Sequence, residues 1–244
     1  MKILSLLIAY TLFFVQIASA VTLQGVTLQG VVLGNGSGGV SQITLRASTT
    51  ANNTGTTIQI TVPTVSDGEL LILSVVNDDG GTITTPVGWG LEGTQTSGSS
   101  RHSIFTRTAS SEPANYTITN GGSTGLVAIM TSWQKPSGTW TTSFFSAGSA
   151  GVERFIQNMT STDDDMLYIA WPCDAGHTIV DGPDDGITIG TPASNAVSID
   201  RAVEGTTLSI DAYYEPFDLD ADIDRVVEFS VSEDSAICAI VIGY

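Results

Sequence analysis

The chain from Gln42 onward consists of short apolar runs separated by turn residues. The runs are rich in Val, Ile, Thr and aromatic residues, and they are bounded by Gly, Asp, Asn and Pro, which is typical of β-strands. Thr57–Val62 and Ser103–Thr108 alternate as half-buried strands do, whereas Leu70–Val76 and Ile237–Ile242 are continuously apolar. No window has a helical period. The pattern predicts an all-β fold, an antiparallel, jelly-roll-like β-sandwich.

The second half of the chain repeats the first, about 96 residues downstream. Each copy reads as an acidic turn, a buried strand, a Gly turn and a second strand, so one plan was used twice. We expect one duplicated sandwich over residues 42–244, with halves of about 42–138 and 139–244, because the aromatic junction Trp140–Phe145 should pack. Two tandem sandwich domains are the alternative. The identical pairs are Asp67/Asp163, Leu71/Leu167, Asp78/Asp174, Gly80/Gly176, Thr82/Thr178 and Ile83/Ile179.

The first 20 residues have the pattern of a secretory signal peptide. Lys2 provides the positive start, Ile3–Ile17 is uncharged and largely apolar, and Ala18–Ala20 has the small-x-small cleavage pattern. The apolar run is shorter than the roughly 20 residues of a membrane-spanning helix. We therefore expect a secreted protein, extracellular at a cell surface or in a virion, with no membrane span after cleavage.

Residues 21–41 form a repetitive arm that ends in a Gly-rich linker, Gly34–Gly39. Three short Val/Leu units cannot bury their own apolar face. We expect the arm to add a strand to the sheet edge of a neighbour, and the alternative is that it folds back onto its own domain. The alternating apolar residues of the arm are Val21, Leu23, Val26, Leu28, Val31 and Leu33.

Acidic residues dominate the charge. There are 25 Asp and Glu against eight Lys and Arg, a formal net charge of −17. Binding to a phosphate backbone needs clustered basic residues, so we expect no nucleic-acid partner. A negative surface favours solubility and attracts divalent cations.

Asp218, Asp220, Asp222 and Asp224 form the densest acidic motif. Alternate residues of a strand share a face, so these four carboxylates would project together, and calcium would relieve their repulsion. The alternative is a solvated acidic loop. Calcium is the only cofactor that the sequence raises.

Two cysteines, Cys173 and Cys238, lie in strand-like contexts. An exported chain permits a disulfide between them, and two buried free thiols fit the pattern equally well.

Catalytic chemistry has little support in the sequence. Both histidines, His102 and His177, are expected to be exposed or half-exposed, and no nucleophile elbow is present. Glu112 and Glu215 each precede a Pro and are the best glycosidase pair, but their matching contexts predict equivalent turns of the two halves, too far apart for that reaction. We expect no enzyme, with a glycoside hydrolase as the third-ranked function.

Four tryptophans are candidates for a sugar-stacking platform. Trp133 and Trp171 lie in apolar strands, and Trp89 is expected to plug the end of the sandwich. Only Trp140 has a loop context that suits a ligand face.

Four motifs in residues 50–135 resemble a β-sandwich module of bacterial exported proteins and of phage tail or appendage proteins. In that group a T-x-T-V-P strand leads to D-G-D-L-L, then P-x-G-W, then E-P-A-S-Y-T. The second half follows the plan more weakly and lacks the P-x-G-W element. The resemblance implies the fold and a surface or virion context, and it assigns no catalytic residues. The matching stretches are Gly55–Pro63, Ser66–Leu71, Ile83–Trp89 and Ser111–Thr117.

The function that we expect is a non-catalytic structural or adhesive component of an extracellular surface or virion assembly. Its partners would be further copies of itself or other surface proteins, bound through the arm. The alternative is a secreted carbohydrate-binding module that takes a glycan, with or without help from calcium.

Overall fold

The computed structural model describes residues 42–122, 125–159, 165–173, 179–184, 197–204, 208–217 and 223–244, which all belong to one compact unit. Every regular element in these ranges is a β-strand, and every strand pairing is antiparallel. The predicted all-β, antiparallel sandwich is therefore confirmed. The arm residues Val21–Leu33 and the predicted signal peptide lie outside the described residues.

The first half contains a five-stranded sheet in the order β1-β7-β3-β5-β4 and a separate pair, β2-β6. Ile83 forms a single bridge to Asn120 beside the pair. This division of strands between two sheets is jelly-roll-like. The strands are β1 (Thr44–Asn53), β2 (Thr57–Thr61), β3 (Leu70–Asn77), β4 (Gly90–Ser97), β5 (Ser100–Thr108), β6 (Asn115–Thr119) and β7 (Leu126–Gln134).

In the second half the strands follow the same order across the central sheet, but they are fewer and longer. β13 lies between β8 and β9, and β12 and β11 follow, so that β8-β13-β9-β12-β11 matches β1-β7-β3-β5-β4. The early part of β13 pairs with the late part of β8 and with β10. In the first half β6 correspondingly pairs with β2, and Asn120, which follows β6, bridges to Ile83. The strands are β8 (Thr141–Met159), β9 (Asp165–Cys173), β10 (Ile179–Asp184), β11 (Val197–Glu204), β12 (Leu208–Phe217) and β13 (Ile223–Gly243).

Because the strands of the two halves pair in the same register, individual residues of one half can be matched to residues of the other. Leu71 pairs with Arg107 and Ser132, and Leu167, its repeat, pairs with Glu215 and Val241. Each half also carries a bulge at the matching place, between Leu91 and Gly93 in β4 and between Ser198 and Asp200 in β11. Because a bulge changes the twist and direction of a strand, its repetition indicates that both halves curve alike.

Three apolar cores hold the sheets together. The largest is a seam between the two five-stranded sheets, to which each half contributes one face. The outer face of the first sheet packs against β2, β6 and Trp89, and the outer face of the second packs against the late part of β8. The continuously apolar stretches Leu70–Val76 of β3 and Ile237–Ile242 of β13 are therefore buried on both faces, as their sequences predicted.

Trp133 is the central side chain of the seam. It is fully buried, and its ring contacts Tyr168 and Tyr214 of the second half edge-on, at centroid distances of 6.3 and 5.5 Å. Its indole N–H donates to Thr131 Oγ1 at 2.8 Å, so burial leaves no donor unpaired. The prediction that Trp133 belongs to the core is confirmed, and Trp89 is likewise buried at the end of the first sandwich.

The edges of the seam are closed by matching contacts at opposite corners. At one corner the Phe144 ring lies over Gly93, and at the other the Ser48 hydroxyl donates to Asp200 Oδ2 at 3.0 Å. Ser48 and Phe144 are equivalent by register, as are Asp200 and Gly93. The two halves are thus related by an approximate twofold axis.

The Gly93 corner gives a direct test of this packing. A Cβ at Gly93 would lie 2.3 Å from Cδ1 and Cε1 of Phe144, so Gly93→Ala should lower the free energy of unfolding by about 1–3 kcal/mol. Gly90→Ala in the same strand is the matched control, because its Cβ would meet nothing nearer than Thr106 O at 3.8 Å. Chemical denaturation of both variants measures the difference. Equal stability of the two would contradict the corner contact.

Candidate functional site

The seam contains a buried histidine for which the sequence predicted the wrong environment. His102 was expected to be exposed or half-exposed, but β5 presents it to the second half and it is completely buried. The error arose because a polar residue at the start of an alternating strand was assigned to the solvent side, whereas that side of the first sheet faces another sheet. Its register equivalent in the second half is Ile210, an apolar residue.

His102 has a fixed tautomer. Nδ1 lies 3.0 Å from the carbonyl oxygen of Ala236, which only accepts, so Nδ1 carries the proton. Nε2 is buried without a hydrogen-bond partner. Burial lowers the pKa of His102 to about 4, although the bond to Ala236 acts in the opposite direction. The imidazole therefore stays neutral at physiological pH.

Cys238 lies beside this histidine and is a free, buried thiol that contacts the backbone carbonyl of His102 at 3.8 Å. It pairs with Ala170 in β9, whereas Cys173 lies three positions, about 10 Å, further along that strand. A disulfide requires Cα atoms within about 7 Å. The structure therefore excludes a disulfide bond between Cys173 and Cys238 in this fold.

Glu112 is the centre of a polar cluster at the end of the first sandwich. Its carboxylate accepts from Arg107 Nε and the Ser110 N–H, both at 2.8 Å, and from the Tyr116 hydroxyl. Burial alone would raise the pKa of Glu112, but the hydrogen bonds from Tyr116, Arg107 and Ser110 outweigh it and the pKa is lowered. The carboxylate is therefore held ionised, the opposite of what a general acid requires.

The same cluster accounts for two of the motifs behind the family resemblance. The Trp89 ring contacts Tyr116 edge-on at 5.3 Å, and Arg107 Nη1 donates to Gly88 O at 3.0 Å. The P-V-G-W and E-P-A-N-Y-T stretches thus pack against each other. Glu215 is placed differently: it lies inside β12, and its register equivalent in the first half is Arg107. The expectation that Glu112 and Glu215 occupy equivalent turns was wrong.

A second polar network organises the Asn77–Gly81 turn. Asn77 Nδ2 donates to Asn120 Oδ1 at 2.9 Å, and Asp79 Oδ1 accepts from Asn120 Nδ2 and from the Gly81 N–H. Gly80 has φ +67°, and a Cβ on Gly122 would lie 1.9 Å from Asp79 Oδ2. The acidic and Gly-rich composition of this turn is thus explained by its own hydrogen bonding.

Trp140 lies in the connection between the halves. Its Nε1 donates to Gly68 O at 2.9 Å, the Lys135 ammonium lies 4.4 Å from its ring centroid, and its partly buried ring packs against the seam core. The aromatic junction packs as predicted. The ligand role of Trp140 remains a prediction, since the indole has these structural contacts whether or not it also binds a ligand.

The predicted calcium ligands lie largely outside the described residues. Asp218, Asp220 and Asp222 lie outside the described residues, and for Asp224 only the backbone, within β13, is described. Across the described ranges, no three His, Cys, Asp or Glu side chains are grouped so that they could hold a metal ion.

The feature that sequence reasoning missed is an ion pair on the outer face of the second central sheet. Arg201 of β11 and Asp211 of β12 face each other across the strands, with Nε and Oδ2 3.5 Å apart. Asp211 is only 8% exposed, and Oδ2 has no hydrogen-bond partner. Burial raises the pKa of Asp211 to about 6, against the lowering effect of Arg201. Only the strand register, unknown from the sequence, brings the two residues together.

No known protein-family model matches the chain, and no curated protein resembles it significantly. The part of the chain that the structure describes also contains no helix long and apolar enough to span a membrane. The resemblance to the exported and phage module therefore remains a prediction from its motifs.

Acid titration of stability tests the buried histidine. The pKa of His102 is about 4 in the fold against an ordinary 6.5, so the unfolded chain binds the proton first as the pH falls. The stability contributed by neutral His102 is complete above pH 6.5, and we expect about 3 kcal/mol of it to be lost between pH 6.5 and 4. Denaturant unfolding of the wild type and of His102→Ile over this range measures the effect.

The comparison with His102→Ile is needed because Asp211 acts in the opposite direction. Its raised pKa means that the folded state binds a proton more readily than the unfolded state, so its ionisation destabilises the fold as the pH rises. The Asp211 contribution is common to both proteins and cancels in their difference. A difference that does not change with pH would overturn the assignment to His102.

The Glu112 cluster gives a second stability prediction. Glu112→Gln keeps the shape but removes the charge that receives three hydrogen bonds, and we expect a loss of about 2 kcal/mol. Glu69→Gln is the control, since Glu69 pairs with a more exposed arginine, Arg46, and should cost no more than about 1 kcal/mol. Thermal and denaturant unfolding would show whether the two losses differ as expected.

Proposed function

We propose that this protein is a non-catalytic structural or adhesive component of an extracellular surface or virion assembly. The observation that supports the proposal is the seam, in which two complete sandwiches share one apolar core. Sharing a core removes the relative motion that two domains on a flexible linker would have. A rigid body of this kind is suited to transmitting position and load between neighbours.

The N-terminal arm supplies the means of assembly in this proposal. The two central sheets end in β1 and β4 on the first half and in β8 and β11 on the second. Sheet edges accept an additional strand through main-chain hydrogen bonds, while pockets for alternate side chains give specificity. The alternating Val and Leu residues of Val21–Leu33 fit that mode, with a sheet edge of a second copy as the receiving surface.

Removal of the arm tests the proposal. We expect deletion of residues 21–34 from the mature protein to abolish higher assembly, as measured by light scattering, while circular dichroism and the unfolding midpoint stay unchanged. The double variant Val26→Asn/Leu28→Asn should have the same effect, because it removes the side chains that fill the pockets.

The matched control is Gln24→Asn/Gln29→Asn, which alters polar positions of the same repeat and should leave assembly intact. An assembly that persists without the arm would refute the strand-addition mechanism. A monomeric wild-type protein would refute self-assembly itself and would direct attention to a partner of different sequence.

A further inference from the structure

We propose that the outer face of β11 and β12 is a binding site for a neutral hydroxyl-bearing ligand, a saccharide, which donates a hydrogen bond to Asp211 and accepts one from Arg201. The proposal does not depend on the structural role of the protein. It rests on the ion pair between Arg201 and Asp211, which has no counterpart in the first half.

The internal duplication shows that the fold does not require this ion pair. By register, Asp211 corresponds to Ser103 and Arg201 to Thr94. In the first half these two hydroxyls form one hydrogen bond of 2.9 Å. A small neutral pair therefore satisfies the equivalent position in the sheet of the first half, and the charged pair of the second half needs another explanation.

A buried ion pair with this geometry would also lower the stability of the protein if its role were only structural. A buried ion pair stabilises a protein only when its remaining hydrogen-bonding capacity is satisfied. Asp211 Oδ2 lies 3.5 Å from Arg201 Nε and accepts no hydrogen bond. Ionisable groups with perturbed pKa values concentrate at functional sites, and burial raises the pKa of Asp211.

The chemistry of the pair selects the class of ligand. A buried carboxylate oxygen that accepts no hydrogen bond requires a donor, and the neighbouring guanidinium repels a metal ion or an ammonium group. A hydroxyl donates to the carboxylate and accepts from a guanidinium at once, so a polyol satisfies both. Arg201 is 39% exposed at its side chain, so the guanidinium side of the pair borders solvent.

An aromatic residue, Tyr213, borders the pair. It follows Asp211 on the same face of β12, interacts electrostatically with that carboxylate, is half-buried and packs in part against the core beneath β8. Its equivalent in the first half is Phe105, which is fully buried in the core. The second half thus carries an acid, a guanidinium and a phenol where the first carries two hydroxyls and a phenyl ring.

The experiment compares the wild type with a variant that copies the first half. Asp211→Ser/Arg201→Thr installs the neutral pair that the equivalent sheet of the first half carries, so it should fold with an unchanged circular dichroism spectrum. Both proteins are applied to a printed array of neutral and acidic glycans. We expect the wild type to bind neutral glycans and the double variant to lose at least tenfold in signal.

A second readout distinguishes binding from a structural effect. Carbon-13 NMR titration of the Asp211 carboxyl with and without the best-binding glycan should show a lowered pKa in the complex, because donors stabilise the carboxylate. Tyr213→Phe keeps the fold and should weaken binding less than the double variant. Absence of binding to any glycan, or binding that the double variant retains, would overturn the proposal, and binding to acidic glycans alone would overturn the assignment to a neutral ligand.

Discussion

The burial of two sheet faces against each other at the seam is the interaction on which the rest of the structure depends. Trp133 contacts both Tyr168 and Tyr214 there, and the seam covers one face of β3 and one face of β9. Without the seam, each half would expose one apolar face of a five-stranded sheet, a surface far larger than soluble monomers tolerate. The corners, the buried histidine and the inter-half hydrogen bonds all follow from that packing.

Duplication also lets each half serve as a reference for the other. Where the two halves carry different residues in the same place, the fold has shown that it accepts both, so the difference calls for a specific cause. One such place holds His102 in the first half and Ile210 in the second. Another holds Ser103 and Thr94 in the first half and Asp211 and Arg201 in the second. The Gly93 and Asp200 corners differ for a packing reason instead, since Phe144 occupies the space beside one and Ser48 the space beside the other.

The all-β class, the sandwich and the repeat were predictable because strand periodicity and turn residues are local signals. The core positions of Trp133 and Trp89 were predictable for the same reason. The face on which a residue lies inside a stacked sheet is set by long-range packing, which is why His102 was assigned to the wrong environment. Pairs such as Arg201 and Asp211, ten residues apart, depend on register and could not be read from spacing alone.

The position of β13 after the strands that it joins has a consequence for folding. The first half closes when β7 pairs with β1 and β3, whereas β8 and β10 pair with β13, and β9 pairs with both β12 and β13. Until β13 has been added, the face of the first sheet that packs at the seam stays partly uncovered, a state exposed to aggregation.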